Sequence, residues 1–98
     1  MRRASRVDTN QQSVILEAKK LGATVQPLHM VGQGCPDLII GFRGHNLLVE
    51  IKDGTKPPSA RKLTPQQKDW HQNWRGNVYV ITHWMEVINL IKSCSAAK

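Results

Sequence analysis

Two short apolar runs separated by a turn signal stand out in the middle of the chain. Leu38–Phe42 and Leu47–Ile51 are rich in leucine, isoleucine and valine, and the dipeptide Arg43-Gly44 lies between them. Apolar runs of this length on either side of a glycine-containing turn are typical of a β-hairpin. The pattern therefore predicts two antiparallel strands here.

Three ionisable residues mark the open end of this hairpin: Asp37 before the first run, and Glu50 and Lys52 at the end of the second. A two-residue loop sets Asp37 opposite Glu50, and a four-residue loop sets it opposite Lys52. In both registers the three side chains share one face, because opposed residues of an antiparallel pair point the same way. A three-residue loop would send Asp37 to the other face unless a bulge restored it. Two converging carboxylates repel each other. A Mg²⁺ or Mn²⁺ ion, which prefers oxygen ligands, would compensate their negative charge.

The rest of the hydrophobic pattern predicts three helices and two further strands. Proline at position 27 favours an edge strand or a bend for the first strand. The order α-β-β-β-α-β-α predicts a single α/β domain over residues 1–98, with residues 1–7 and 93–98 as flexible tails. The predicted elements are helix Thr9–Leu21, strand Ala23–Met30, helix Thr64–Arg75, strand Asn77–Thr82 and a last helix beginning at Thr82 or His83.

The amino-acid composition bears on the class of molecule that the chain binds. The chain has 98 residues, of which 14 are Lys or Arg and 7 are Asp or Glu, giving a formal charge of +7. A length of this kind favours one domain, and an excess of positive charge favours a polyanion such as nucleic acid. A solvated basic surface is the alternative interpretation of the same charge.

Several functional classes are disfavoured by the remaining composition. Cys35 and Cys94 are far apart and form no CxxC pair, which favours a reducing cytosol over a disulfide framework. The four histidines have no metal-ligand spacing and are interpreted as structural or surface residues. No apolar run is long enough to span a bilayer, and none follows the basic start as in a signal peptide, so membrane insertion and secretion are not expected.

At the hairpin the sequence resembles a known family. Pro36-Asp37 followed by Glu50-Ile51-Lys52 is the PD-(D/E)XK nuclease signature, and Gly34–Leu38 together with Leu63–Gln67 (LTPQQ) is similar to its VRR-NUC branch, whose short stand-alone members are largely phage proteins. The resemblance implies a restriction-endonuclease-like αβββαβ core, with a mixed central sheet flanked by helices, plus a C-terminal helix.

The same resemblance implies site residues. Asp37, Glu50 and the backbone carbonyl of Ile51 would bind the metal, and Lys52 would sit beside the attacked phosphate. Gln67 would reach into the active site, although Thr64-x-x-Gln67 is also a capping box for the predicted helix. Many members of the superfamily carry a supporting acidic residue on the first helix, and no position here matches it. A surface ion pair at a strand end is the plain alternative for Glu50 and Lys52.

The function expected from the resemblance is Mg²⁺- or Mn²⁺-dependent, structure-selective DNA cleavage by a homodimeric Holliday-junction resolvase in the bacterial or phage-infected host cytoplasm. A nicking or flap endonuclease of the same superfamily is the first alternative, and a nucleic-acid-binding module with a decayed site is the second. Basic residues of the N-terminal arm, of the loop after the hairpin and of the following helix would bind phosphates. They are Arg2, Arg3, Arg6, Lys56, Arg61, Lys62 and Lys68.

Overall fold

The protein is described by a computed structural model covering residues 9–97, with side chains for residues 10–94. Within this range the elements follow the predicted order, and a short 3-10 helix lies in the loop after the hairpin. They are α1 (Thr9–Lys20), β1 (Thr24–Pro27), β2 (Leu38–Phe42), β3 (His45–Ile51), the 3-10 helix Pro58–Arg61, α2 (Pro65–Asn73), β4 (Val78–Ile81) and α3 (Met85–Ala97).

The strands form one mixed sheet in the order β1-β2-β3-β4. β1 pairs antiparallel with β2, β2 pairs antiparallel with β3, and β3 pairs parallel with β4. The parallel pair needs a crossover connection, which the segment containing α2 supplies. β1 is an edge strand, where the missing N–H of Pro27 is tolerated. The α/β fold class with a mixed sheet and three helices is confirmed.

The hairpin closes with the two-residue loop. Phe42 pairs with His45 and Leu38 pairs with Val49. Arg43 and Gly44 both have positive φ angles, 50° and 83°. Positive φ at both central residues belongs to the type I′ turn, whose twist matches that of the flanking strands. The three- and four-residue alternatives are therefore wrong for this chain.

One face of the sheet carries the hydrophobic core. Alternate residues of β2 and β3, including Leu38, Ile40 and Val49, are fully buried against Val14 of α1 and Val87 of α3. The intervening residues point to the opposite face because side chains alternate along a strand. Glu50 belongs to that second set, so the core and the candidate site lie on different faces of the same sheet.

The last helix differs from the prediction at both ends. It begins at Met85, because the Glu86 carboxylate accepts the backbone N–H groups of Thr82 (2.6 Å) and His83 (3.0 Å) and holds those residues in a turn before the helix. It continues to Ala97, so the polar tail predicted from Ser93 is wrong for residues 93–97. Cys94 lies one helical turn after Ile91 and is buried with it. Across residues 9–97, the helices are all too short or too polar to cross a membrane.

Candidate active site

Two carboxylates face each other at the open end of the hairpin. The register that pairs Leu38 with Val49 brings Asp37 and Glu50 opposite one another at the next position. The Asp37 carboxylate accepts the backbone N–H of Ile51 at 2.7 Å, which holds it against β3. Only 2% of the Glu50 surface is exposed. Both acids are thus fixed where the two strands meet.

Lys52 and Gln67 complete this cluster. The Lys52 ammonium Nζ lies 3.7 Å from Glu50 Oε2 and donates to Gln67 Oε1 at 2.7 Å. The amide Nε2 of Gln67 donates to Glu50 Oε2 at 3.0 Å. The structure therefore brings together all four side chains for which the sequence predicted a catalytic role.

Gln67 serves the helix and the cluster at the same time. Its backbone N–H donates to Thr64 Oγ1 at 3.2 Å, and its side-chain Oε1 accepts the Thr64 backbone N–H at 2.9 Å. These two bonds form the capping box at the start of α2. The capping box predicted for Gln67 is confirmed, and the same side-chain amide contacts Glu50 and Lys52. A role of Gln67 in catalysis stays a prediction.

Burial and like charge act together on Glu50. Burial raises the pKa of its carboxyl, the negative charge of Asp37 and a hydrogen bond with Asp37 raise it further, and Lys52 opposes them, leaving a pKa of about 8. A buried acid beside another acid holds its proton because ionisation would place two negative charges side by side in a desolvated site, which the single charge of Lys52 offsets only in part. Glu50 is therefore largely protonated at neutral pH unless a cation enters.

The cluster fits a hard divalent cation. Glu50 Oε1 is buried and has no hydrogen-bond partner among the described residues, although buried oxygens are normally bonded. Carboxylate oxygens are the ligands that Mg²⁺ and Mn²⁺ prefer. Within residues 9–97 no group of three His, Cys, Asp or Glu side chains could hold a metal. Ligands beyond the two carboxylates would have to come from elsewhere, and the carbonyl of Ile51 stays a prediction for one of them.

Two supporting contacts were not predicted. Asn10 on α1 donates through Nδ2 to the backbone carbonyl of Lys52 at 3.0 Å and to that of Thr82 at 3.4 Å, tying the end of β3 to α1 and β4. Gly34, with φ +84°, lies directly on the backbone of Gln66 and Gln67, where an added Cβ would overlap the Gln66 carbonyl. No local sequence signal indicates Asn10, whereas Gly34 belongs to the motif that carries the resemblance.

His71 and Cys35 also lie near the charged groups. Burial lowers the pKa of His71 and the charge of Lys52 lowers it further. The Nε2 atom of His71 is buried without a partner in the described part of the chain. Burial raises the pKa of the Cys35 thiol, as do the charges of Glu50 and Asp37. The sequence interpretation of His71 as merely structural or surface did not anticipate this position, although its spacing of four from Gln67 puts both on one helix face.

The predicted phosphate-binding residues divide into three groups. Lys56 and Lys62 are exposed in the loop after β3, and Lys68 is exposed on α2 beside Gln67. Arg61 is half-buried and folds back, donating from Nε to the Lys56 carbonyl at 2.8 Å. Arg2, Arg3 and Arg6 lie outside the described residues.

Comparison with known proteins gives one informative match. No family model and no curated protein matches the chain. A solved structure titled "VRR_NUC domain" matches with a TM-score of 0.62 and 30% sequence identity, covering 84% of this chain and 89% of its own. A likeness of this extent includes the hairpin, the loop before it and α2 together.

The contact between Gly34 and α2 yields a first prediction. Gly34→Ala should lower the free energy of unfolding by about 2 kcal/mol more than Gly32→Ala, because it adds a backbone overlap that the second site lacks. Gly32 is a matched control since it has a similar φ, +71°, and open space around it. Urea unfolding of both variants measures the difference, and equal losses would contradict the packing of Gly34 on α2.

The pKa of Glu50 yields a second prediction. Folded Glu50 keeps its proton up to a pH of about 8, whereas the unfolded residue loses it near its ordinary pKa of 4.5. Without metal, the free energy of unfolding should therefore fall as pH rises across this range, because the folded state binds more protons. Thermal melts in EDTA measure this fall. Glu50→Gln should flatten that dependence, with Glu17→Gln on the α1 surface as the control.

Added Mg²⁺ or Mn²⁺ should raise the melting temperature more at about pH 8 than at about pH 6, because the proton on Glu50 competes with the cation. Stabilisation that is equal at both pH values, or that persists in Glu50→Gln, would argue against a cation at this carboxylate.

Proposed function

The chain belongs to the VRR-NUC family, a nuclease domain of the PD-(D/E)XK type, and from this premise we propose that it is a Mg²⁺- or Mn²⁺-dependent endodeoxyribonuclease. The observation that carries the proposal is the acid pair formed by half-buried Asp37 and buried Glu50, with the ammonium of Lys52 held 3.7 Å from Glu50. A surface ion pair would be exposed and weak. Here the acid is inaccessible and the ammonium group is fixed from two sides.

Hydrolysis of a phosphodiester is slow because the attacking oxygen must approach an anion and the leaving oxygen must take up charge. Asp37 and Glu50 would hold a divalent cation, which would supply positive charge to the phosphate and make a nearby water easier to deprotonate. Entry of the cation requires Glu50 to give up its proton, which couples metal binding to pH.

Lys52 supplies the protein's own positive charge. Its ammonium is held by Gln67 Oε1 at 2.7 Å and by Glu50 Oε2 at 3.7 Å. A cation that is fixed before the substrate arrives stabilises the negative charge that develops in the transition state, because no free energy is lost in reorienting the cation during the reaction. Gln67 is a positioning residue in this scheme, because it orients Lys52 and Glu50 through one amide group.

Charge brings the polyanion to this site. The chain carries a net charge of +7, and the exposed Lys56, Lys62 and Lys68 lie on the segments that flank Lys52 and Gln67 in sequence. Contacts of this kind bind phosphates regardless of base sequence. The substrate class that follows is DNA recognised by its backbone and shape.

For the finer function we favour a homodimer that resolves four-way junctions, in which a symmetric pair of sites would cut two strands. β4 is an edge strand of the described sheet, and Val80 on it is 44% exposed. Trp74 is 47% exposed and stacks on Trp70 with ring centroids 4.7 Å apart. An open strand edge with apolar side chains nearby suits pairing with a second copy.

Substitutions at the acid pair and the lysine test catalysis. Asp37→Asn, Glu50→Gln and Lys52→Ala should each reduce the rate of DNA cleavage by about 100-fold or more, because each removes charge at the reacting phosphate. The matched controls are Glu17→Gln and Lys20→Ala, which disrupt an ion pair 3.4 Å apart on α1 between a half-buried carboxylate and an exposed lysine. These should cut like the parent chain. Undiminished cleavage by purified Glu50→Gln would overturn the site assignment.

A substrate panel tests the finer function. Labelled four-way junction, flap and duplex DNA are incubated with Mg²⁺ or with EDTA, while a sizing column reports the oligomeric state. We expect the junction to be cut fastest, only with metal, by a protein that elutes as a dimer. Preference for the flap would favour the alternative endonuclease. Band shifts without cutting in any metal would favour a binding module.

A further inference from the structure

The loop between β1 and β2 forms a rigid rim beside the acid pair. At its base the backbone N–H of Leu28 donates to the carbonyl of Asp37 at 2.7 Å. Two successive turns follow, closed by bonds from Val31 to Leu28 (2.9 Å) and from Cys35 to Gly32 (3.1 Å). Gly34 then presses on the backbone of α2. The loop is therefore anchored at both ends to the strands and helix that carry the site.

The tip of this loop exposes two adjacent apolar side chains. Met30 is 84% exposed and Val31 is 60% exposed, more than any other large apolar residue for which the structure gives an exposure. Single exposed apolar residues are common. Two neighbours on a braced loop are a more specific arrangement, because the base of that loop is hydrogen-bonded to Asp37, one of the two acids.

We propose that Met30 and Val31 form an apolar wedge that enters an unstacked or branched base step next to the cleaved phosphodiester. This inference rests on the proposed function. The lysines around the site bind phosphates but cannot open a base stack, whereas an inserted Met or Val side chain replaces the lost stacking with apolar contact. DNA that is already branched or distorted would accept the wedge most readily, which gives structure selectivity without base-specific hydrogen bonds.

The area at the tip favours DNA over a second copy of the chain as its occupant. Met30 and Val31 are only two side chains, whereas each partner in a standard protein interface contributes roughly 20–30 residues and about 800 Å². A wedge into one base step needs no more than two side chains. The loop is also joined at Leu28 to the backbone of Asp37, whereas the edge strand β4 is at the far side of the sheet from β1.

The test replaces apolar surface while keeping shape and charge. Met30→Gln with Val31→Thr preserves side-chain size and the net charge, and Leu16→Gln is the matched control, since Leu16 is 55% exposed on α1. Unstacking is read by 2-aminopurine placed at the branch point of a four-way junction, with all proteins in the Glu50→Gln background so that the DNA remains intact. Cleavage is read separately with Glu50 restored.

We expect the fluorescence rise to be about threefold smaller with the loop variant than with the parent. The loop variant should also cleave the junction about tenfold more slowly at limiting substrate. Its cleavage of DNA whose bases are already unpaired at that position should change little. The salt dependence of binding should stay the same because no charge is removed. Leu16→Gln should match the parent in every measurement.

An unchanged fluorescence rise in the loop variant would overturn the wedge. So would a shift of the loop variant from dimer to monomer on a sizing column, which would assign the tip to a second copy. The fluorescence measurement does not need cleavage. Failure of the nuclease proposal would therefore appear as uncut DNA in all metals, separately from the outcome for the wedge.

Discussion

Two carboxylates held side by side, one half-buried and the other buried, are the constraint on which the rest of the structure depends. Asp37 and Glu50 lie directly opposite one another because the Arg43-Gly44 turn fixes a two-residue register, and a slip by one residue would send one of them to the core face. Their proximity is costly without a cation, and the raised pKa of Glu50 expresses that cost. Such a pair persists when contacts from several elements of the surrounding fold hold both carboxylates in place.

Gln67 connects several of these contacts. One amide group caps α2 through Thr64, donates to Glu50 and accepts from Lys52. The helix start and the site therefore cannot be changed independently, because a shift of α2 moves the group that orients both ionisable side chains. Gly34 extends the same coupling to the loop that precedes Asp37, since its missing side chain lets that loop rest on the helix backbone.

The sequence predicted what is local and left open what is distant. The hairpin, its turn and the Thr64–Gln67 cap were predictable because apolar runs, a glycine turn and a capping pattern act within a few residues. The register remained one of three until the positive φ of Arg43 and Gly44 selected it. Asn10 could not be found in this way, because its partner Lys52 is 42 positions away and an isolated Asn has many other uses.

The division of the sheet into two faces explains how so small a domain can hold a buried charge. Leu38, Ile40 and Val49 pack against α1 and α3 on one face, where the apolar cluster of the described residues includes no Asp, Glu, Lys, Arg or His. Glu50 projects from the other face, so its protonation and any cation that replaces the proton leave that packing unchanged. A small domain has little stability to spare, and this arrangement confines the cost of the acid pair to one end of one hairpin. The apolar packing of the core and the charged groups of the site are therefore carried by opposite faces of one sheet.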